Sequence, residues 1–338
     1  MTISRLVKAT GYIAMVSVSL ANAGYALADQ AAASTQSVEE QLVDTLTDLS
    51  HGPYAGYRAN HAKGLMVSGT FTPSAGAAKL TKAPHLQGGV KKVLVRFSDG
   101  TGVPTIPDAA PGNVHGMAIR FFQSEDNFTD IVAISVNGFP AATPEDFLAF
   151  LKAAGASGPG VAKPTPLDEF LKTHPAALKF VTSIKYPVSF ATQPFYGLNA
   201  FKFTNGKGDV HFGRYYIIPV AGEHDLSDAD TANESPNYLF DDLEARLKKG
   251  VIKYRIAVQL AAKGDPVNDM TAIWPNNRKM VDLGTLTLRA EVPNSKDEEK
   301  TVMFSPTNLI DGIDSSDDPI LAARPIAYAI SFGRRSAQ

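Results

Sequence analysis

The sequence predicts an α+β fold that is mainly β, an antiparallel eight-stranded barrel with helices flanking it. Three observations predict it. Short segments rich in β-branched and aromatic residues recur about eight times, with Gly, Pro and Asp between them. Helical spacing is sparse, and no regular strand–helix alternation marks a parallel sheet. One pair of segments, 200–204 and 210–219, flanks Asn205-Gly206-Lys207-Gly208 and reads as an antiparallel hairpin.

The elements follow in order. Residues 36–49 have helical spacing, with Glu39, Glu40, Asp44 and Asp48 on a solvated face. After Gly52-Pro53 the pattern turns to strands at 65–72, 93–98, 117–122 and 131–136. Residues 144–154 and 166–172 read as helices, the first capped by Thr143 with Glu145 and Asp146 in its first turn. The hairpin comes next, then a helix at 236–249, strands at 254–261 and 283–292, and a closing helix at 319–332. In that last helix Pro325 predicts a start or a kink.

Residues 1–28 read as a cleaved signal peptide and 29–338 as a single domain. Arg5 and Lys8 form a positive n-region, residues 11–20 are apolar but too short to span a membrane, and Ala26-Leu27-Ala28 offers a cleavage site. Ala21-Asn22-Ala23 is a second candidate. Export to a periplasm is the expectation. Cleavage would leave 30 basic against 34 acidic residues, which suggests neither a nucleic-acid nor an anionic-membrane partner. There is no cysteine. That excludes disulfides, thiolate metal sites, cysteine nucleophiles, iron–sulfur clusters and covalent c-type haem attachment.

Two motifs at opposite ends carry the chemistry. Arg58-Ala59-Asn60-His61-Ala62-Lys63-Gly64 places an arginine three residues ahead of a histidine. Arg324-Pro325-Ile326-Ala327-Tyr328 places an arginine one helical turn before a tyrosine. Between them, Val93-Leu94-Val95-Arg96-Phe97-Ser98 alternates so that Arg96 and Ser98 share one face of an apolar strand. Asp130-Ile131-Val132 leads to Asn137, and Phe304-Ser305-Pro306-Thr307-Asn308 leads through Asp317-Asp318-Pro319 to the tyrosine. Trp274-Pro275 reads as packing. The other histidines have no metal-ligand spacing.

Taken together and in this order, these segments resemble the haem catalase superfamily, most of all the small catalase-related peroxidases of bacteria. The resemblance runs from about Gly52 to Arg335. It implies a catalase-type barrel and non-covalent haem b, with Tyr328 as the iron ligand. A free phenol titrates near pH 10, and ferric iron and a guanidinium both favour the phenolate. It implies that His61 is the distal acid/base, that Ser98 fixes its tautomer and that Asn137 orients peroxide. Arg58, Arg96, Arg324 and Arg335 would bind the haem, with Arg334 a fallback for Arg335 and His115 near the haem edge. Peroxide and a small organic electron donor are the implied partners, with a homodimer as the expected assembly. Asn60 stands where full-length catalases usually carry an apolar residue. A true small catalase and a non-enzymatic haem carrier are the alternatives. The support of His61 by Ser98 and Asn137 favours an enzyme.

Overall fold

The computed structural model describes residues 36–337, so the predicted signal peptide lies outside the described residues. Eight antiparallel strands form the barrel: β1 (Gly64–Pro73), β2 (Lys91–Ser98), β3 (Gly116–Phe122), β4 (Phe128–Ile134), β5 (Phe195–Thr204), β6 (Val210–Pro219), β7 (Ile252–Leu260) and β8 (Met280–Glu291). Their spatial order is β4-β3-β2-β1-β8-β7-β6-β5, and β4 pairs back on β5. That closure is made by one register pair, Ile134 with Tyr196. A short β9 (Ile313–Ser315) adds to β5. All eight predicted strands are present.

Strand alternation decides what fills the barrel. On β2, Val93, Val95 and Phe97 are buried in the central apolar cluster, which also takes Ile252, Tyr254 and Ile256 from β7. Phe71, Phe97, Phe121, Phe190, Phe195, Phe203 and Tyr254 are almost wholly buried. Phe71 meets Phe121 edge-on at 5.2 Å, and Phe97 lies 4.8 Å from Phe190. Each such ring contributes about 1.5–3 kcal/mol by burial. A barrel packed this way is a core, so any sizeable ligand must sit outside its wall.

Helices supply the second wall. They are α1 (Val38–Leu49), α2 (Pro144–Gly155), α3 (Pro166–Thr173), α4 (Pro175–Thr182), α5 (Tyr238–Lys249), α6 (Ser295–Thr301) and α7 (Pro319–Ser336). Ser37 and Glu40 form a capping box at α1, and Thr143 accepts from the Asp146 amide at α2. Leu42, Leu148, Phe150, Leu171 and Val181 gather in a second apolar cluster that joins α1 to α2, α3 and α4. The sequence reading did not mark α4, α6 or β9. It also expected α7 to start or kink at Pro325; the helix starts earlier, at Pro319, and runs to Ser336 with Pro325 inside it. Tertiary contacts on both sides of that proline outweigh its missing N–H.

Candidate active site

A cavity of about 270 Å³ lies between the outer face of the barrel and helices α1 and α7. The barrel wall there is low because its outward residues are small. Gly116 and Ala118 on β3 lie beside Ser98 and Arg96 respectively, with Ile134 and Val132 beyond them. A Cβ on Gly116 would come within 2.8 Å of Ser98 Oγ and 3.0 Å of the His61 ring, so only glycine lets the imidazole rest on this strand. The opposite wall is one face of α7, carrying Ile320, Ala323, Arg324, Ala327, Tyr328, Ser331 and Arg335 at helical spacing.

His61 and Ser98 meet as predicted, with Nδ1 and Oγ 3.0 Å apart. His61 stands in the loop before β1 with φ at 56°, a left-handed conformation that a non-glycine residue holds only under constraint. The constraint is visible on both sides. Arg96 Nη2 donates to the His61 carbonyl at 3.0 Å, and the Ala62 amide donates to Thr101 O at 2.8 Å. Burial first, then the guanidinium groups of Arg96, Arg324 and Arg58, push the His61 pKa down to about 3. The ring is therefore neutral at ordinary pH, and Nε2 is the nitrogen left free of Ser98.

Across the cavity, Arg324 donates from Nε and Nη2 to the Tyr328 hydroxyl at 3.0 and 2.8 Å. Its Nη1 donates to Asn199 Oδ1 at 2.6 Å, and Asn199 Nδ2 donates to Asp318 Oδ2 at 2.9 Å. The other Asp318 oxygen accepts from the Ile320 and Leu321 amides and so caps α7. One buried carboxylate thus fixes the start of the helix and, through Asn199, the arginine that holds the tyrosine.

The third group is a set of arginines around one acid. Arg96 Nη2 donates to Glu299 Oε2 at 2.8 Å, and Arg58 Nη1 lies 3.5 Å from the same oxygen. Arg58 and Arg335 both donate to Val302 O, at 2.8 and 2.9 Å. Burial and repulsion from Arg96 lower both pKa values, Arg335 to about 10. Arg96 Nε and Arg335 Nε are buried with no partner. Three guanidiniums against one carboxylate leave excess positive charge and unspent donors, the demand of an anion.

Four predicted residues lie elsewhere. Asn137 does not line this cavity; its Nδ2 donates to the Tyr216 hydroxyl at 3.1 Å. The β4 residues that do line it are apolar, Val132 and Ile134 among them. His115 is fully buried beside the cavity, between Gln193 Oε1 at 3.1 Å and Asp108 O at 3.0 Å, and does not line it. Arg334, the fallback, pairs with Asp44 at the surface. Trp274 packs, with Arg214 stacked 4.3 Å above it and Nε1 donating to Pro266 O.

Asn199, Asp318 and Glu299 were not assigned roles from sequence. Asp318-Pro319 carries a readable helix-start signal. Asn199 sits mid-strand in no motif, and Glu299 lies in Ser295-Lys296-Asp297-Glu298-Glu299-Lys300, which reads as a solvated run.

These features define a mostly apolar cavity with a phenol on one wall, an imidazole on the other and buried guanidinium donors left without partners. The residues fit haem b. Tyr328 would ligate the iron, and Arg58, Arg96 and Arg335 would take the propionates. A catalase family model matches residues 29–336, and the chain belongs to the catalase family. It is 36% identical over 301 residues to a catalase-related peroxidase of Mycolicibacterium paratuberculosis, covering 88% of this chain and 94% of that one. It is 30% identical over 327 residues to a catalase-related peroxidase of Synechococcus elongatus, covering 95% and 94%. A crystal structure of a fungal catalase superposes with a TM-score of 0.74 at 22% identity, over 87% of this chain and 62% of that one.

Proposed function

We propose that the protein is a haem-dependent peroxidase that reduces organic hydroperoxides, hydrogen peroxide or both with electrons from an external donor. The observation that carries this is the pairing across one cavity of a neutral His61 held by Ser98 with a Tyr328 held by Arg324. Bound haem supplies peroxide O–O cleavage and stores the two oxidising equivalents. The chain's own residues handle position and protons. Tyr328 ligates the iron, and Arg324 holds its hydroxyl as an acceptor. The three rim arginines neutralise the propionates. His61 Nε2 takes the proton from one peroxide oxygen and passes it to the other, which leaves as water or alcohol. Ser98 holds the ring plane through Nδ1. Val132 and Ile134 keep the wall beside this step apolar, so His61 orients the peroxide without an amide from β4.

The same reading holds that the chain is exported to a periplasm. Its support is the charged and apolar order of residues 1–28, together with a family match that begins at residue 29.

The experiment is an absorption spectrum of the haem-loaded protein before and after peroxide. A high-spin ferric spectrum that changes with peroxide and returns on adding a phenolic donor supports the peroxidase. Haem that binds without responding to peroxide makes the protein a carrier, and absence of haem binding sinks the reading.

A further inference from the structure

Asn137, placed by sequence in the peroxide pocket, is instead spent on Tyr216. The Tyr216 hydroxyl accepts from Asn137 Nδ2 and donates to Gln259 Oε1, each at 3.1 Å, and Gln259 Nε2 is in turn fixed on Pro275 O at 3.1 Å. Two polar side chains from separate segments hold one phenol in place. Nothing in the peroxide chemistry described above needs it.

The phenol faces a second one. Tyr216 on β6 stands in register with Tyr196 on β5, and the rings meet edge-on, centroids 5.2 Å apart and planes at 86°. Strand alternation separates Tyr216 from its neighbour Tyr215, which points into the barrel core. Tyr196 lines the cavity. Both rings are partly exposed, and Tyr216 lies outside the cavity lining. The pair thus leads from the cavity wall to a second partly exposed phenol beyond it. Tyr328, the cavity's other tyrosine, is committed to Arg324.

We propose that Tyr196 and Tyr216 form a two-step path by which electrons from an aromatic donor at the protein surface reach the haem cavity. The proposal rests on the peroxidase reading above. Reduction of a hydroperoxide to alcohol and water takes two electrons and two protons. Each electron would leave Tyr196 for the peroxide-oxidised haem, with the Tyr196 phenolic proton released to water. Tyr216 then refills Tyr196 with an electron, a proton returning to Tyr196 from water while the Tyr216 proton passes to water. A phenol or arylamine outside restores Tyr216 by losing one electron and one proton, and two such donors complete the cycle.

The surroundings favour this direction. Burial first, then the Glu223 carboxylate, the neighbouring Tyr216 and Asp225, push the Tyr196 pKa up to about 12, so it holds its proton at rest. With the haem propionates on the arginines, a bulky charged donor would have to shed its water to pass Leu42, Leu46 and Phe147. A donor that stays outside avoids that desolvation.

The test uses the haem-loaded protein, frozen after mixing with peroxide and read by electron paramagnetic resonance, with Tyr196→Phe, Tyr216→Phe and the double variant beside it. The wild-type chain is expected to give a tyrosyl radical that Tyr196→Phe abolishes, and Tyr216→Phe to leave a radical with altered hyperfine structure at Tyr196. Oxidation of a bulky sulfonated aromatic dye should fall by about tenfold more than haem oxidation by peroxide does in the same variants. An unchanged radical in the double variant, or unchanged dye oxidation, overturns the relay. A normal haem response to peroxide without any tyrosyl signal overturns the relay alone; no haem response overturns the peroxidase reading with it.

Discussion

The Tyr328 hydroxyl receives two hydrogen bonds from a single side chain, Arg324 Nε at 3.0 Å and Nη2 at 2.8 Å, and the same guanidinium is anchored behind by Asn199. The phenol is therefore presented in one orientation and as an acceptor, as an iron ligand must be. Tyr328→Phe should abolish tight haem binding. Arg324→Leu should keep the phenol but weaken haem binding about tenfold or more, since hydrogen bonds to charged groups contribute about 1.5–3 kcal/mol each. A haem titration followed by absorbance measures both, and an unchanged affinity in Tyr328→Phe would show that another residue ligates the iron.

On the opposite wall, His61→Ala should still take up haem but cleave peroxide about 10²–10⁴-fold more slowly, the usual contribution of a positioned acid/base. Ser98→Ala should lower the rate by about tenfold, because the ring loses its Nδ1 partner and not its chemistry. Stopped-flow spectra after peroxide give these rates. Full activity in His61→Ala would remove it from the mechanism.

Acid should destabilise the fold through histidines. His61 and His85 are both driven down to about 3, each chiefly by burial, while an unfolded histidine titrates near 6.5. Between those values the unfolded chain binds more protons than the folded one, so stability falls as pH falls from about 6.5 toward 3, by up to about 1.4 kcal/mol per pH unit per group. The melting temperature should drop across that window, and His85→Leu, which removes a ring whose Nδ1 has no partner, should flatten part of the drop. An equal slope in His85→Leu would place the acid sensitivity elsewhere.

Glu299 answers the buried Arg96 and the partly exposed Arg58, and removing one member of such a cluster exposes the repulsion among the rest. Glu299→Gln should destabilise the haem-free protein by about 3–5 kcal/mol, the range for a broken buried pair. Haem propionates bring negative charge to the same guanidiniums, so loading should raise the melting temperature of Glu299→Gln more than that of the wild-type chain. Calorimetry with and without haem reads the difference, and equal increments would mean the propionates do not reach this cluster.

Ile134 lines the cavity where β4 ends, while Asn137 lies beyond it on Tyr216. Ile134→Asn would put an amide donor against bound peroxide, and oxygen evolution from hydrogen peroxide should rise several-fold. An oxygen electrode decides it, and no gain would show that the apolar wall does not limit that reaction.

Much of this was legible in advance because the motifs are local. Residues 58–64 put Arg58 and His61 in one loop, 324–328 hold Arg324 and Tyr328 within one helical turn, and the alternation of 93–98 already placed Arg96 and Ser98 on one face. What escaped depends on contacts distant in sequence. Asn199 matters only because Arg324 folds back onto it, and Glu299 only because a run of surface-like residues lands on Arg58 and Arg96. The course of α7 through Pro325 belongs with these, since a local rule about that proline lost to packing along the whole helix. Asn137 shows the reverse limit. Its place in the chain suggested a cavity residue, and three residues along a turn were enough to aim it at a different partner.

The barrel is closed by a single register pair, Ile134 with Tyr196, whereas β3 and β4 share a ladder from Gly116 with Ile134 to Phe122 with Phe128. Those two closing residues also line the cavity. The ring of strands is thus stitched most thinly along the face against which haem would rest, and a rigid planar ligand seated there would act as the missing hoop. Amides flanking the seam should exchange with solvent slowly when the slot is filled and quickly when it is empty, so loading with haem would complete the barrel as well as arm it.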